Sequence, residues 1–190
     1  MPGNQFAKLA FTPQVKALQE EDGSRASYAK VESAPDTPVE IGPREHAFIQ
    51  TRDSFYMASV SEADWPYVQH RGGPMGFLRV LDETTIGFAD YRGNRQFVST
   101  GNLQHNDRVS LILMDYPSQS RLKILGHARI VGEKDYETLT KLAIPQDHNP
   151  VTRGHLIDIA ALEWNCPKYI TPRYTVAEIK GISQANGATL

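Results

Sequence analysis

A single cysteine, Cys166, in 190 residues leaves no intramolecular disulfide to form, and it fits a reducing compartment. No apolar run approaches the length needed to cross a bilayer, and the opening MPGNQFAKLAFTPQ lacks the apolar core of a secretory signal. Excess charge is lacking too. Twenty Lys and Arg face 22 Asp and Glu, a net charge of −2, which disfavours a general nucleic-acid coat. There is no internal repeat and no low-complexity tract. GxGxxG, P-loop, HExxH, CxxC and GxSxG patterns do not occur, which removes most well-marked enzyme classes. The expectation is a compact cytoplasmic protein that binds neither nucleic acid nor membrane.

What is present begins with a change near residue 43. Residues 1–42 hold Pro2, Pro13, Pro35 and Pro38 around a polar stretch, QEEDGSRASYAKVESAPDTP. One short helix is expected at Thr12–Glu21, with Thr12 as cap and Pro13 in the first turn, in an otherwise extended arm. Phe6, Phe11, Val15, Leu18 and Tyr28 are apolar anchors by which the arm could wrap its own body or a partner subunit. Residues 43–175 read as the main domain and 176–190 as a tail.

After a helix over Arg44–Arg52, short β-rich runs alternate with turn residues. Strands are expected at Ser54–Ser61, Trp65–Arg71, Gly76–Leu81, Thr85–Tyr91, Arg108–Tyr116 and Ser120–Gly132, and β character returns over His155–Tyr169. Glu133–Ile144 has helical spacing. The pattern predicts a mainly β protein, a six-stranded antiparallel barrel of Greek-key type with peripheral helices, and no alternating βαβ units.

Four stretches could carry chemistry. In Asp90–Leu103 a strand ends, Arg92-Gly93-Asn94 turns, and Asn94 is placed to cap a helix whose free N–H groups suit an anion. Helical spacing would put Arg95, Ser99 and Asn102 on one face; a capped surface helix with a solvated arginine explains the same spacing equally well. In Ser120–Ile130, strand alternation puts Arg121, Lys123, His127 and Arg129 on one side and Leu122, Ile124, Ala128 and Ile130 on the other. An ordinary half-exposed strand does the same. His70–Leu78 contains glycines that allow close backbone approach to a ligand, or that simply make a loop. Trp164–Tyr174 is aromatic, basic and stiffened by proline. Its rings either close the core or cover something flat. The six histidines show no metal-ligand spacing and are expected at scattered surface or hydrogen-bonded positions; Cys166 is expected to be a small buried thiol.

The order of these stretches resembles the pyridoxamine 5′-phosphate oxidase-like family of FMN-binding split barrels: strand GFLRVLDETTIGFADY, turn GNR, a helix ending in Asn102-Leu103, strand VSLILM, then SRLKILGHARIV. The likeness covers residues 43–132 best. It implies a homodimeric FMN-dependent oxidoreductase acting on an unknown small molecule, with NAD(P)H as a candidate electron donor. It further implies cofactor contacts from Gly76, Phe77, Leu78, Asp90, Asn94, Arg95, Gln96, Ser99 and Thr100, from Arg121 and Lys123 near the ring, and from Trp164 and Arg173 across a dimer. The vitamin-B6 oxidases carry an arginine that aligns near Pro74, for which Arg71 could substitute, and a base where this chain has Gln96. The Arg-Leu-x-Pro substrate signature is missing from the tail. The resemblance is therefore to an uncharacterised branch, not to the B6 oxidase itself. No catalytic acid or base is implied. A flavin carrier or sensor, or a haem protein using His70 or His127, are the alternatives on the same barrel.

Overall fold

The computed structural model describes residues 4–91, 95–145 and 151–185. Seven strands form one antiparallel sheet: β1 (Ser54–Val60), β2 (Pro66–Gly72), β3 (Arg79–Val80), β4 (Thr85–Asp90), β5 (Arg108–Asp115), β6 (Ser120–Gly132) and β7 (Arg153–Trp164). Their order is β2-β1-β5-β6-β7-β4-β3. Seven strands stand where six were expected, because the β character near residue 155 is a full 12-residue strand in the middle of the sheet.

The sheet curls without closing. Three strands separate β1 from β4, yet the Phe55 and Phe88 rings meet at 5.4 Å, and Phe77 stacks on Phe55 at 5.7 Å. Alternation drives this. Phe55 and Met57 from β1, Leu111 and Leu113 from β5, and Leu122 and Ile124 from β6 all turn to one face and are fully buried. Burial of such side chains contributes about 1.5–3 kcal/mol each. β2 and β4 stay unbonded to each other, so a split runs between them. On β7, Ala160 is an extra residue: Leu125 pairs with Ala161, and Gly126 with Ile159. Gly126 is needed there, because a Cβ would lie 2.7 Å from the Asp158 carbonyl oxygen.

Several boundaries differ from the sequence expectation. Gly76–Leu81 is a strand only at Arg79–Val80; Phe77 and Leu78 turn into the core, and Gly76 takes φ +79°. The N-terminal arm is not mostly extended. It holds three helices, α1 (Gln5–Ala10), α2 (Pro13–Glu21) and α3 (Arg25–Glu32). Thr12 caps α2 as expected, accepting from Val15 N–H. The other two helices are held by polar links that no apolar stripe announces. Asn4 donates to the Glu32 and Ala34 carbonyls, and Glu32 pairs with both Lys16 and Arg25. The arm lies on its own barrel: α1 packs against β7, and the Lys123 ammonium sits 5.3 Å from the Phe6 ring centre. Helix α4 (Pro43–Gln50) starts at a proline, and α6 (Tyr136–Leu142) is capped by Asp135. The tail carries α7 (Val176–Ala185), with no buried residue. None of the described helices is long and apolar enough to cross a membrane.

Phe55 joins β1 to both Phe77 and Phe88, so Phe55→Ala is expected to cost about 3–5 kcal/mol. Urea unfolding should show a lowered midpoint at unchanged slope.

Candidate functional site

The open seam between β2 and β4 is where charge collects. Asp90 ends β4 and Arg153 begins β7, directly paired with it in register. The Arg153 Nε–H donates to Asp90 Oδ2 at 2.8 Å. From the other side of the seam, Arg71 of β2 brings Nη1 to 3.8 Å from Asp90 Oδ1 and lies over the Phe88 ring. His155 stacks face to face on Phe88 at 4.8 Å, with Nε2 3.6 Å from Asp90 Oδ2. It is fully buried, and neither ring nitrogen has a hydrogen-bond partner; Arg71 Nε is also buried and unpartnered. A cavity of about 240 Å³ opens here, walled by Arg71, Gly72, Phe77, Phe88, Asp90 and Tyr91. It fits a phosphoryl group and part of a polyol chain, and is too small for a tricyclic ring as well.

Electrostatics follow from burial. Desolvation works against ionised Asp90, but contact with His155 and Arg153 outweighs it and brings the pKa down to about 2. Burial pushes His155 below the ordinary histidine value. Arg71 and Arg153 add to that effect, and only Asp90 opposes it. His155 is therefore neutral at pH 7, and the cluster carries one net positive charge.

The structure brings together some of the expected site residues. Arg71, Asp90 and Phe77 share the seam, and Arg153 and His155 join them. Leu78 is core, and Gly76 lies beyond it in the β2–β3 loop. Asn94 lies outside the described residues. Helix α5 (Val98–His105) is preceded by Phe97 in left-handed conformation, so Arg95 lies before the helix and does not share a face with Ser99 and Asn102. Arg95 and Gln96 are exposed and Thr100 is half-buried. Ser99 and Asn102 turn inward instead: Ser99 Oγ donates to Gln69 Oε1 at 2.8 Å, and Asn102 Nδ2 to Ser59 Oγ at 3.0 Å. These bonds hold α5 against β1 and β2. Phe97 packs on the Arg153 guanidinium at 4.9 Å, which puts the Arg95–Phe97 segment at the rim of the seam.

Arg121 and Lys123 lie elsewhere. Arg71, Phe55, Leu113 and Leu122 form one row across the inner face. Lys123 is in the outward row with Ile112, Tyr56 and His70, and pairs with Glu163 at 3.2 Å. Arg121 Nε is buried and unpartnered. Trp164 ends β7 paired with Leu122 of the inner row. Its indole N–H donates to Glu45 Oε1 at 2.6 Å, Arg44 covers its ring at 4.0 Å, and it lines a cleft of about 490 Å³ with Val39 and Leu162. Arg173 lies over Tyr116. Lys123 thus faces outward while the Trp164 ring packs on the inner core, and both lie apart from the seam. Of the two haem candidates, His127 bonds Asp107 at 3.0 Å and His70 packs edge-on against Tyr56. Among the described residues no group of three acidic, histidine or cysteine side chains could hold a metal. Cys166 is exposed rather than buried, because Pro167 takes the chain off the end of β7.

Arg153 and His155 escape a reading of the sequence alone. His155 sits in HLIDIAAL, whose apolar density predicts burial, but nothing local shows that an acid and two arginines from three strands meet it.

The model of the pyridoxamine 5′-phosphate oxidase family matches residues 41–165. Among solved structures, HupZ of Group A Streptococcus superposes with TM-score 0.54 at 16% identity, covering 70% of this chain and 99% of that one. A Lactobacillus delbrueckii protein classed with the pyridoxamine 5′-phosphate oxidases gives 0.54 at 17% identity, covering 67% and 96%. At such identity these two likenesses speak for the fold alone. No curated protein matches the chain.

The two acidic-side shifts have the same sign. The stabilisation from neutral His155 is complete above the unfolded value near 6.5 and is lost as pH falls below it. That from Asp90 is complete above about 4 and is lost towards its folded value of about 2. Denaturation measured from pH 8 to pH 5 should show stability declining below about 6.5. The His155→Phe variant should lose that slope.

Proposed function

The chain belongs to the pyridoxamine 5′-phosphate oxidase family, and we propose that within it this protein is a homodimeric FMN-binding oxidoreductase acting on a small molecule. The observation that carries the reading is the seam: Arg71, with an unpartnered Nε, lines a cavity of about 240 Å³ together with Asp90, and Asp90 in turn holds the Arg153 guanidinium. Arg71 and Arg153 would hold the FMN phosphate through charge-assisted hydrogen bonds, with Arg95 at the rim. Phe77 and Phe88 keep the cavity dry on its inner side, which strengthens those bonds. FMN, when bound, supplies the hydride or electron transfer.

A second copy completes the site in this reading. Arg121 and Lys123 lie on β6 in the outward row, and Trp164 ends the strand that Arg153 begins, so none of the three meets the seam of its own chain. A two-fold arrangement joins the seam of one protomer to the Arg121–Trp164 end of its partner, and generates two equal sites. The outward face of β2-β1-β5 supports this: Val68 is 61% exposed, Tyr56 42% and Ile112 38%, side by side. Arg121, with an unpartnered Nε, would lie near the pyrimidine side of the ring, where negative charge develops on reduction, and stabilise it there. NAD(P)H is the donor that suits such a site.

Apo-protein mixed with FMN should turn yellow and retain the flavin on gel filtration. Protein that takes up no FMN overturns the reading. Arg153→Ala or Arg71→Ala removes a charge-assisted contact of about 1.5–3 kcal/mol, so FMN should bind roughly ten- to a hundredfold more weakly. Ile112→Asp should give a monomer by sedimentation and weaken FMN with it; a monomeric variant with unchanged FMN affinity removes the shared site. Turnover with NADH or NADPH separates an oxidoreductase from a flavin carrier.

A further inference from the structure

Asp90 is the internal counter-ion of the seam. It occupies the two arginines at 2.8 and 3.8 Å, and it lines the cavity together with Arg71. The same carboxylate stands 3.6 Å from a fully buried imidazole with two unused nitrogens. We propose that an entering phosphate monoester takes Asp90's place on Arg71 and Arg153, that the Asp90 carboxylate moves onto His155, and that His155 takes up one proton from solvent as this happens. The inference rests on the FMN reading of the seam and adds a proton linkage to it.

Charge counting supports the exchange. Arg71, Arg153, Asp90 and neutral His155 sum to +1. A phosphate dianion brings the buried cluster to −1, and one proton on His155 restores neutrality. A net buried charge in a poorly hydrated cavity is costly, so proton and dianion favour each other's binding. In the free protein two arginines oppose the imidazolium. Once the phosphate shields them, Asp90 at hydrogen-bond distance is its dominant neighbour. The groups that face His155 are few. β4 gives Asp90 and Phe88, β2 gives Arg71, β7 gives Arg153, and β6 gives the apolar Ile130. His70 lines the cavity farther out. No other described acid takes part in this cluster.

Calorimetric titration of apo-protein with FMN settles the matter. It is run at about pH 8, where the FMN phosphate is already a dianion, in phosphate-free buffers of different ionisation enthalpy. Close to one proton should be absorbed per FMN, and FMN affinity should fall with rising pH, by up to about tenfold per unit. Riboflavin, which lacks the phosphate, should take up none, and His155→Phe should bind FMN without proton uptake. FMN binding by wild-type protein with no proton absorbed overturns the linkage and leaves the FMN reading standing. Proton uptake that persists in His155→Phe, or that riboflavin matches, overturns it too. Failure of wild-type protein to bind FMN at all overturns both. The buffer series on wild-type protein decides the issue even if the variant folds poorly.

Discussion

One carboxylate holds together a barrel that hydrogen bonds leave open. β2 and β4 have no ladder between them, and Asp90 crosses the gap by pairing with Arg71 on one side and Arg153 on the other. A buried ion cluster seldom stabilises a fold better than well-packed apolar side chains would, because each charge gives up its hydration. Here the apolar work is done deeper in, by Phe55, Phe77 and Phe88. The ion triad sits above that layer, where the sheet edge would otherwise present bare polar groups. A seam closed by charges can exchange partners with an incoming ion. A seam closed by a ladder cannot.

The β elements were legible because each obeys a local rule. SRLKILGHA alternates, and its buried residues, Leu122, Ile124, Gly126 and Ala128, are the ones its period selects. The arm was not legible beyond α2. Its helices α1 and α3 owe their order to Asn4 meeting the Glu32 and Ala34 carbonyls and to Lys16 meeting Glu32, across 16 to 30 residues of chain, and polar contacts at such separation leave no periodic trace. GFLRVL misleads for the opposite reason. It has strand composition, yet Phe77 and Leu78 are drawn inward to plug the barrel, and only Arg79 and Val80 remain to pair with β4.

The candidate site divides the same way. Arg71 and Asp90 were found by resemblance. Arg95 and Ser99 were grouped by helical spacing, which fails because the helix starts at Val98 and its inner face is spent on Gln69 and Ser59. Arg153 and His155, the contacts that lower the Asp90 pKa, leave no such sign. A buried histidine looks, in sequence, like a member of the apolar run around it.

Strand alternation also separates the cationic groups. Arg71 points to the inner face at the seam, and Lys123 to the outer face three strands away, so no rearrangement short of unfolding the sheet brings them to one ligand. Strand alternation fixes this as firmly as it fixes the core, since moving either side chain to the other face requires a one-residue register slip along the whole strand. A slip in β6 would expose Leu122 and Ile124 and bury Lys123. The registry that packs the barrel is thus the same one that divides the cationic groups. Under the proposed FMN reading, a flavin contacted by both sets would require a second sheet, for which the exposed outward row of Tyr56, Val68 and Ile112 is the proposed contact.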